Sequence, residues 1–331
     1  MFKTLLYAFA ALLFLSGCSN KEYYKPDRVA GNWTLVDTVS SSIIDRSYDG
    51  ALLKDGHLLR KNGISKMILP EGFGYISNSD GWIITSNIDG DLVLMREDTP
   101  MQQERFELKK TVATASVRDD ILAVLFANNE KALYSIEHKT LLYKEQGSAP
   151  SAVDVRIAKP YFLNELVLFS TLDGKIDIVN SDSKKLLRSM IVSSEEHFNN
   201  VIYFNVIDNT LFAATGYRIM SLGDREMRQD YELRDAVFDN EGIWLSTKQG
   251  EVVALTPSLQ LKAKRKFPFA HFLGMIVTDS RIFLLEKEGY MIVLDKTLNH
   301  EDVFAVDLSD GFVFVADDAF YVDDERIAIT P

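Results

Sequence analysis

The feature that most limits what this chain can fold into is a unit that keeps returning along it. Each copy is an apolar run, a tight polar turn and a second apolar run. Trp82–Ser86 and Leu92–Leu94 flank Asp89-Gly90, and Leu166–Ser170 and Ile176–Val179 flank Asp173-Gly174. Ile243–Thr247 and Val252–Leu255 flank Gln249-Gly250, while Ile282–Leu285 and Met291–Leu294 flank Glu288-Gly289. An x-Gly pair between β-branched and aromatic runs is a hairpin signal because such residues accept a positive φ. Weaker copies centre on Asp55-Gly56, Asn128-Asn129 and Gly216. The turn centres therefore fall at 56, 90, 129, 174, 216, 250 and 289, in steps of 34 to 45 residues. A period near 40 with four short strands per unit specifies a β-propeller. No 3.6-residue periodicity runs through the chain, so helical repeats of similar length do not fit.

A second polar pair precedes several of the central hairpins: Asp80-Gly81, Asp119-Asp120, Asp208-Asn209, Glu241-Gly242 and Asp279-Ser280. That is where an innermost strand should turn into the next one. The inner strands are predicted at 74–77, 114–117, 202–206, 236–238 and 275–277. More charged strands follow the hairpins at 102–109, 184–190, 226–233 and 259–267, and they suit the outermost position, where charge discourages edge-to-edge pairing. Seven complete units run from about Ile43 to Leu308. The remainder supplies only three strands, at 311–315, 320–322 and 326–330, and Trp33–Val39 is a strand with no unit of its own. Joined, these make an eighth blade that shares both termini and closes the ring. Seven blades with a loose C-terminal hairpin is the alternative.

The N-terminus reads as an address. Lys3 precedes an apolar run from Leu5 to Leu15, shorter than the roughly 20 residues needed to span a bilayer and of the length of a signal-peptide core. It ends in Leu15-Ser16-Gly17-Cys18, which resembles the lipobox of bacterial lipoproteins, cleaved ahead of a cysteine that then carries acyl chains. The expected organisation is a signal peptide at 1–17, a lipidated Cys18 with a polar, flexible tether through 30, and a propeller over 31–331. Cys18 is the only cysteine, so no disulfide can form within the chain. A net charge of −12 argues against nucleic acid as the ligand.

No catalytic constellation stands out. His57, His138, His197, His271 and His300 never fall at metal-ligand spacing. The acidic spots Asp317-Asp318 and Asp323-Asp324-Glu325 lack the alternation of a calcium loop and sit where hairpin turns are expected. The one local interface candidate follows the basic run Lys262, Lys264, Arg265 and Lys266. There Phe267, Phe269, His271 and Phe272 form an apolar cluster in a loop expected to be exposed, and an apolar cluster beside a basic stripe suits a protein contact.

The unit Trp244–Leu255 resembles the PQQ-type propeller repeat, in which a strand ends in a small residue, two others and a turn glycine, and leads into an x-Ala-Leu strand. With its lipobox, 314 residues after the cysteine boundary and eight such units, the chain is similar to the BamB family, the propeller lipoproteins of the outer-membrane β-barrel assembly machinery. The Gly-x-x-x-Trp ending of typical PQQ-type blades is missing: Trp33, Trp82 and Trp244 are the only tryptophans and none occupies that place. No partner-binding residue carries over. The resemblance implies a non-enzymatic scaffold without cofactor or metal, on the periplasmic face of the outer membrane, bound to envelope proteins such as a β-barrel assembly subunit. Another periplasmic complex, or an enzyme or ligand binder with an axial pocket, is the alternative.

Overall fold

The computed structural model describes residues 22–239 and 241–330. The signal peptide expected at 1–17 and Cys18 lie outside them. The described chain contains no helix; eight antiparallel blades of four strands, one extended by a short parallel fifth, form an eight-bladed β-propeller. From the inside outward, blade 1 is Ile43–Arg46, Gly50–Leu53, His57–Arg60 and Gly63–Ile68. Blade 2 runs Gly74–Ser79, Trp82–Ser86, Asp91–Arg96, Gln103–Glu107; blade 3 Val112–Arg118, Ile121–Phe126, Glu130–Ser135, Leu141–Gln146; blade 4 Tyr161–Leu163, Leu166–Ser170, Lys175–Asn180, Lys185–Ile191. Blade 5 runs Tyr203–Ile207, Thr210–Ala214, Arg218–Leu222, Glu226–Asp230; blade 6 Leu233–Asp239, Gly242–Thr247, Glu251–Leu255, Leu261–Lys266; blade 7 Phe272–Val277, Arg281–Glu286, Tyr290–Asp295, Glu301–Ala305. Blade 8 takes Val313–Val315, Ala319–Val322 and Glu325–Ala328 from the C-terminal end, and Val36–Thr38 from the other end pairs antiparallel with Glu325–Ala328 as its outermost strand. The seven-bladed alternative with a loose hairpin is thereby overturned.

Burial follows strand position. The second strands of blades 2 and 6 are buried at every residue, because neighbouring blades cover both faces of the sheet. The outermost strand of blade 5, Glu226–Asp230, is almost wholly exposed. Hydrophobic clusters therefore sit between blades rather than in one centre: Trp82, Phe106 and Phe126 join blades 2 and 3, and Phe212, Leu245 and Leu255 join blades 5 and 6.

One backbone hydrogen bond recurs around the whole ring. The N–H just beyond each outermost strand, at residues 69, 108, 147, 192, 233, 267 and 306, donates to the carbonyl at the central turn, at 56, 90, 129, 174, 216, 250 and 289, over 2.7–3.0 Å. In blade 8 the donor is Val39, after the N-terminal strand, and the acceptor is Asp324 at 2.7 Å. The recurring turn residue is thus a fastener that returns the chain toward the axis. Gly174 and Gly250 show why glycine holds it: their φ values are +82° and +74°, and a Cβ would lie 2.5 Å from the Ser193 carbonyl oxygen or 2.4 Å from that of Phe267. The inner turns use Asp and Asn for a related reason, since Asp80, Asp119, Asp208 and Asn209 all hold positive φ, which their short polar side chains tolerate.

Three local expectations need correction. Of the strand foreseen at Trp33–Val39 only Val36–Thr38 forms, joining blade 8, while Gly31–Asn32 just ahead of it pairs in parallel with Glu301–Ala305 of blade 7. Trp33 marks the crossing, its ring edge-on to Phe283 and Phe304 and its Nε1 donating to the Ala328 carbonyl at 2.9 Å. The outer strand foreseen at 226–233 ends at Asp230, because fully buried Leu233 already belongs to the inner strand of blade 6. Finally, the described part of the segment foreseen as a tether lies against the ring: Tyr24 is only 5% exposed and packs among Phe267, Phe272 and Tyr290.

Candidate functional site

Where inner strands converge on the axis, a cavity of about 550 Å³ opens to solvent. Its walls come from blades 1, 6, 7 and 8 and from the linkers entering blades 4 and 5. Four cationic side chains, Arg46, Lys61, Arg156 and Arg234, face two carboxylates, Asp154 and Asp235. A chain that carries −12 overall therefore presents a locally cationic mouth. Three apolar side chains stand around it at 66%, 48% and 47% exposure: Val155, Phe198 and Phe312.

The charged groups are brought together from blades 1 and 6 and the linker between blades 3 and 4. Arg156 lies in the long linker between blades 3 and 4. Its Nε and Nη2 donate to both oxygens of Asp154, at 2.9 and 2.6 Å, and Nη1 donates to the Arg234 carbonyl. That linker is itself pinned by Asn200, fully buried, whose Oδ1 accepts from the Asp154 N–H at 2.7 Å and whose Nδ2 donates to the carbonyls of Asp154 and Arg156. Arg46 ends the inner strand of blade 1 and donates to the Val313 carbonyl at 2.8 Å. Lys61, in the outer turn of the same blade, donates to the Val315 carbonyl at 2.7 Å and lies over the Phe314 ring.

The electrostatics are unbalanced. Burial, and then the neighbouring Arg156 charge, push the Arg46 guanidinium below its ordinary value. Burial pulls the Asp154 carboxyl up, but the hydrogen bonds and charge of Arg156 outweigh it and hold that group below the usual carboxylate range. Burial raises Asp235 despite the opposing charges of Arg156 and Lys61; its oxygens accept the N–H groups of Ala236 at 2.9 Å and Met275 at 3.2 Å. Both carboxylates are committed to groups of the chain, so the surplus positive charge is offered to a ligand. Four cations among exposed apolar side chains suit the mouth to bind an anion between apolar contacts.

The residues singled out from the sequence fall elsewhere. Phe267 and Phe272 are 3% and 4% exposed and stack edge-on in the core between blades 6 and 7, which corrects the expectation that the whole loop is exposed. Their aromatic rings fill the space between two blades, with Phe272 bordering the axial cavity and Phe267 a cavity at the outer edge of the seam. Phe269 and His271 are exposed. The basic run is largely paired: Lys264 with Glu251 at 2.9 Å and Arg265 with Glu301 at 2.6 Å. The acidic spots are turns, with Asp318 bound to Arg326 and Asp323 at positive φ. Among the described residues no group of three His, Cys, Asp or Glu side chains could hold a metal ion. Sequence reasoning missed the mouth, whose components are as far apart as Arg46 and Phe312. The one available signal was repeat length, since the two longest steps, 129 to 174 and 174 to 216, contain the linkers that carry Arg156 and Phe198.

The ring has the fold of a divergent, BamB-like β-propeller. Superposed on BamB from Moraxella catarrhalis, the chain gives a TM-score of 0.67 at 15% identity, over 88% of this chain and 98% of that one. The C-terminal WD40 domain of Sif2 gives 0.64 at 10% identity, over 90% and 99%. In sequence, the plasminogen-binding protein PgbB of Helicobacter pylori strain J99 is 27% identical over 352 aligned residues, 92% of this chain. The chain spans 65% of the length of that relative. No family model matches it.

Proposed function

We propose that this protein is a non-enzymatic envelope lipoprotein, anchored through acyl chains on Cys18 to the periplasmic face of the outer membrane, that holds a subunit of the β-barrel assembly machinery. The observation that carries the reading is the axial mouth, a cationic pit rimmed by Val155, Phe198 and Phe312 on a ring with the fold of BamB. An acidic, partly apolar segment of a protein fits it: its carboxylates would meet Arg46 and Arg234, and its apolar side chains the rim. A rigid ring that presents loops from many blades needs no chemistry to act this way. The name of the PgbB relative supports the coarser part of the reading, a propeller that binds protein.

Affinity purification of the acylated chain from membranes, with identification of what co-purifies, tests this. Recovery of a β-barrel assembly subunit that is lost on Phe198→Ser with Arg234→Glu supports it; repeated recovery of a different envelope complex would move the protein to that complex. The size of the cavity favours one second reading, a small anionic ligand at the axis. Saturable uptake of a small dianion by the isolated chain, insensitive to Phe198→Ser, would favour that reading instead.

A further inference from the structure

Another cavity, about 840 Å³, lies at the outer edge of the blade 6–7 seam, between residues 22–27 and residues 265–269, where the outermost strand of blade 6 ends and turns. Its architecture is unusual in two ways. Tyr24 is inserted like a peg, edge-on to Phe267 at 6.0 Å and to Tyr290 at 5.7 Å between ring centroids, and 5% exposed. This fixes where the chain leaves the ring on its way toward Cys18. The opposite wall is a tight turn, closed by the Ala270 N–H donating to the Phe267 carbonyl at 3.1 Å, with Pro268 and Phe269 at its centre. Phe269 has a φ of +64°, a conformation that favours glycine or asparagine in a turn, yet the residue is a phenylalanine that is 54% exposed. Neither folding nor packing calls for an aromatic ring there. A strained backbone that displays a ring to solvent points to a contact.

We propose that this contact is with the phospholipid bilayer that holds the Cys18 acyl chains, so that the ring stands on its blade 6–7 edge with Phe269 and Tyr23 in the interface. The proposal rests on the reading of Cys18 as the lipidated residue. Three residues separate Cys18 from Glu22, four Cα steps with a reach of at most about 14 Å, and Glu22 lines the same cavity as Phe269. The membrane surface is therefore within one short segment of this edge. Tyr23, 49% exposed with Lys25 lying 4.6 Å from its ring centroid, adds an amphipathic aromatic and a cation of the kind found at bilayer interfaces. Lys262, Lys264 and Lys266 project from alternate positions of the adjoining outer strand, all exposed. Glu22, Asp27 and Glu301 share the cavity and Glu251 pairs with Lys264 and Lys266, so the aromatic contact dominates and the lysines add little attraction to anionic lipid.

The test uses the full acylated chain in vesicles of phosphatidylethanolamine, with and without phosphatidylglycerol. An environment-sensitive fluorophore is placed at Phe269→Cys or, across the ring in blade 2, at Met101→Cys, where the native side chain is 95% exposed. Acylated Cys18 offers no competing thiol. The expected result is a shift to shorter wavelength and loss of iodide quenching at 269 but not at 101, in both lipid compositions. Tyr24→Ala should abolish the difference by freeing the segment. Equal, water-like emission at both positions in an acylated chain overturns the proposal and leaves the anchor standing; mass analysis showing no acyl group on Cys18 overturns the anchor itself. Phe269→Gly guards against a folding artefact, since glycine suits that turn position: it should keep the native unfolding temperature while vesicle-bound protein becomes accessible to protease in the 22–27 segment. Retained protection also counts against the contact.

Discussion

Lys131 and Asp177 are the least expected charged residues in the ring. They sit on the third strands of blades 3 and 4, their side chains 1% and 7% exposed, with Nζ 2.6 Å from Oδ2. Removing both from water is expensive, and their mutual attraction offsets that only while both are present. Lys131→Ala leaves a buried carboxylate without its counter-charge and should destabilise the fold by about 3–5 kcal/mol. Lys131→Met combined with Asp177→Leu should be near neutral, and comparing the two in urea unfolding checks the pair. At the mouth, the sign of the pH effect follows from the lowered Asp154 group. Its native proton is bound later than in the unfolded chain, so its stabilising contribution is present at neutral pH and is lost as the pH falls through the acid range below 3.8, the ordinary value. Asp154→Asn should therefore lower stability near pH 7 and make the decline on acidification shallower, measured by denaturant midpoints at about pH 7, 5 and 3.

The strand–turn–strand element carries most of what makes the fold readable. Its central turn residue both reverses the hairpin and accepts the N–H that brings the chain back to the axis, so one position answers to two constraints. Gly174→Ala and Gly250→Ala should each cost about 1–3 kcal/mol from the positive φ alone, and more because the new methyl would meet a carbonyl oxygen. Gly63, at φ +109° with nothing within 4 Å of where a methyl would lie, should cost less than either; thermal midpoints of the three variants check the order. This double constraint is why the Gly-centred turns revealed the period from sequence alone, and why Asn129, at φ +66°, serves in the same role. The mouth was not legible in the same way. A cation at the end of an inner strand, such as Arg46, has no partner nearby in sequence that predicts its placement; only the ring brings it to Arg156. Their place in a loop likewise misplaced Phe267 and Phe272, because residues next to an exposed basic strand can still turn inward at the seam between two blades.

At the scale of the whole molecule, the ring is held shut by a short contact. Val36–Thr38 contributes three register pairs to Glu325–Ala328, and the Val39 N–H completes the eighth copy of the fastening bond. Blade 8 has only three strands of its own, so without this segment the edge of Glu325–Ala328 would be unpaired, and an open edge invites pairing with another chain. The same stretch leads back through Gly31–Asn32 on blade 7 to the Tyr24 peg. A pull on the N-terminus thus meets Tyr24 first, then the parallel pair, and reaches the closing strand last. The order protects closure from load applied at the N-terminus. It also sets apart two variants of similar size. Trp33→Ala removes the ring that packs on Phe283 and Phe304 at the seam, and its indole hydrogen bond to Ala328, and should destabilise by about 3 kcal/mol. Deleting residues through 39 should do something different in kind: lose the single cooperative unfolding transition and produce concentration-dependent oligomers by light scattering. A truncated chain that stays monomeric and unfolds in one step at the original temperature would show that blades 7 and 8 close the ring without the N-terminal strand.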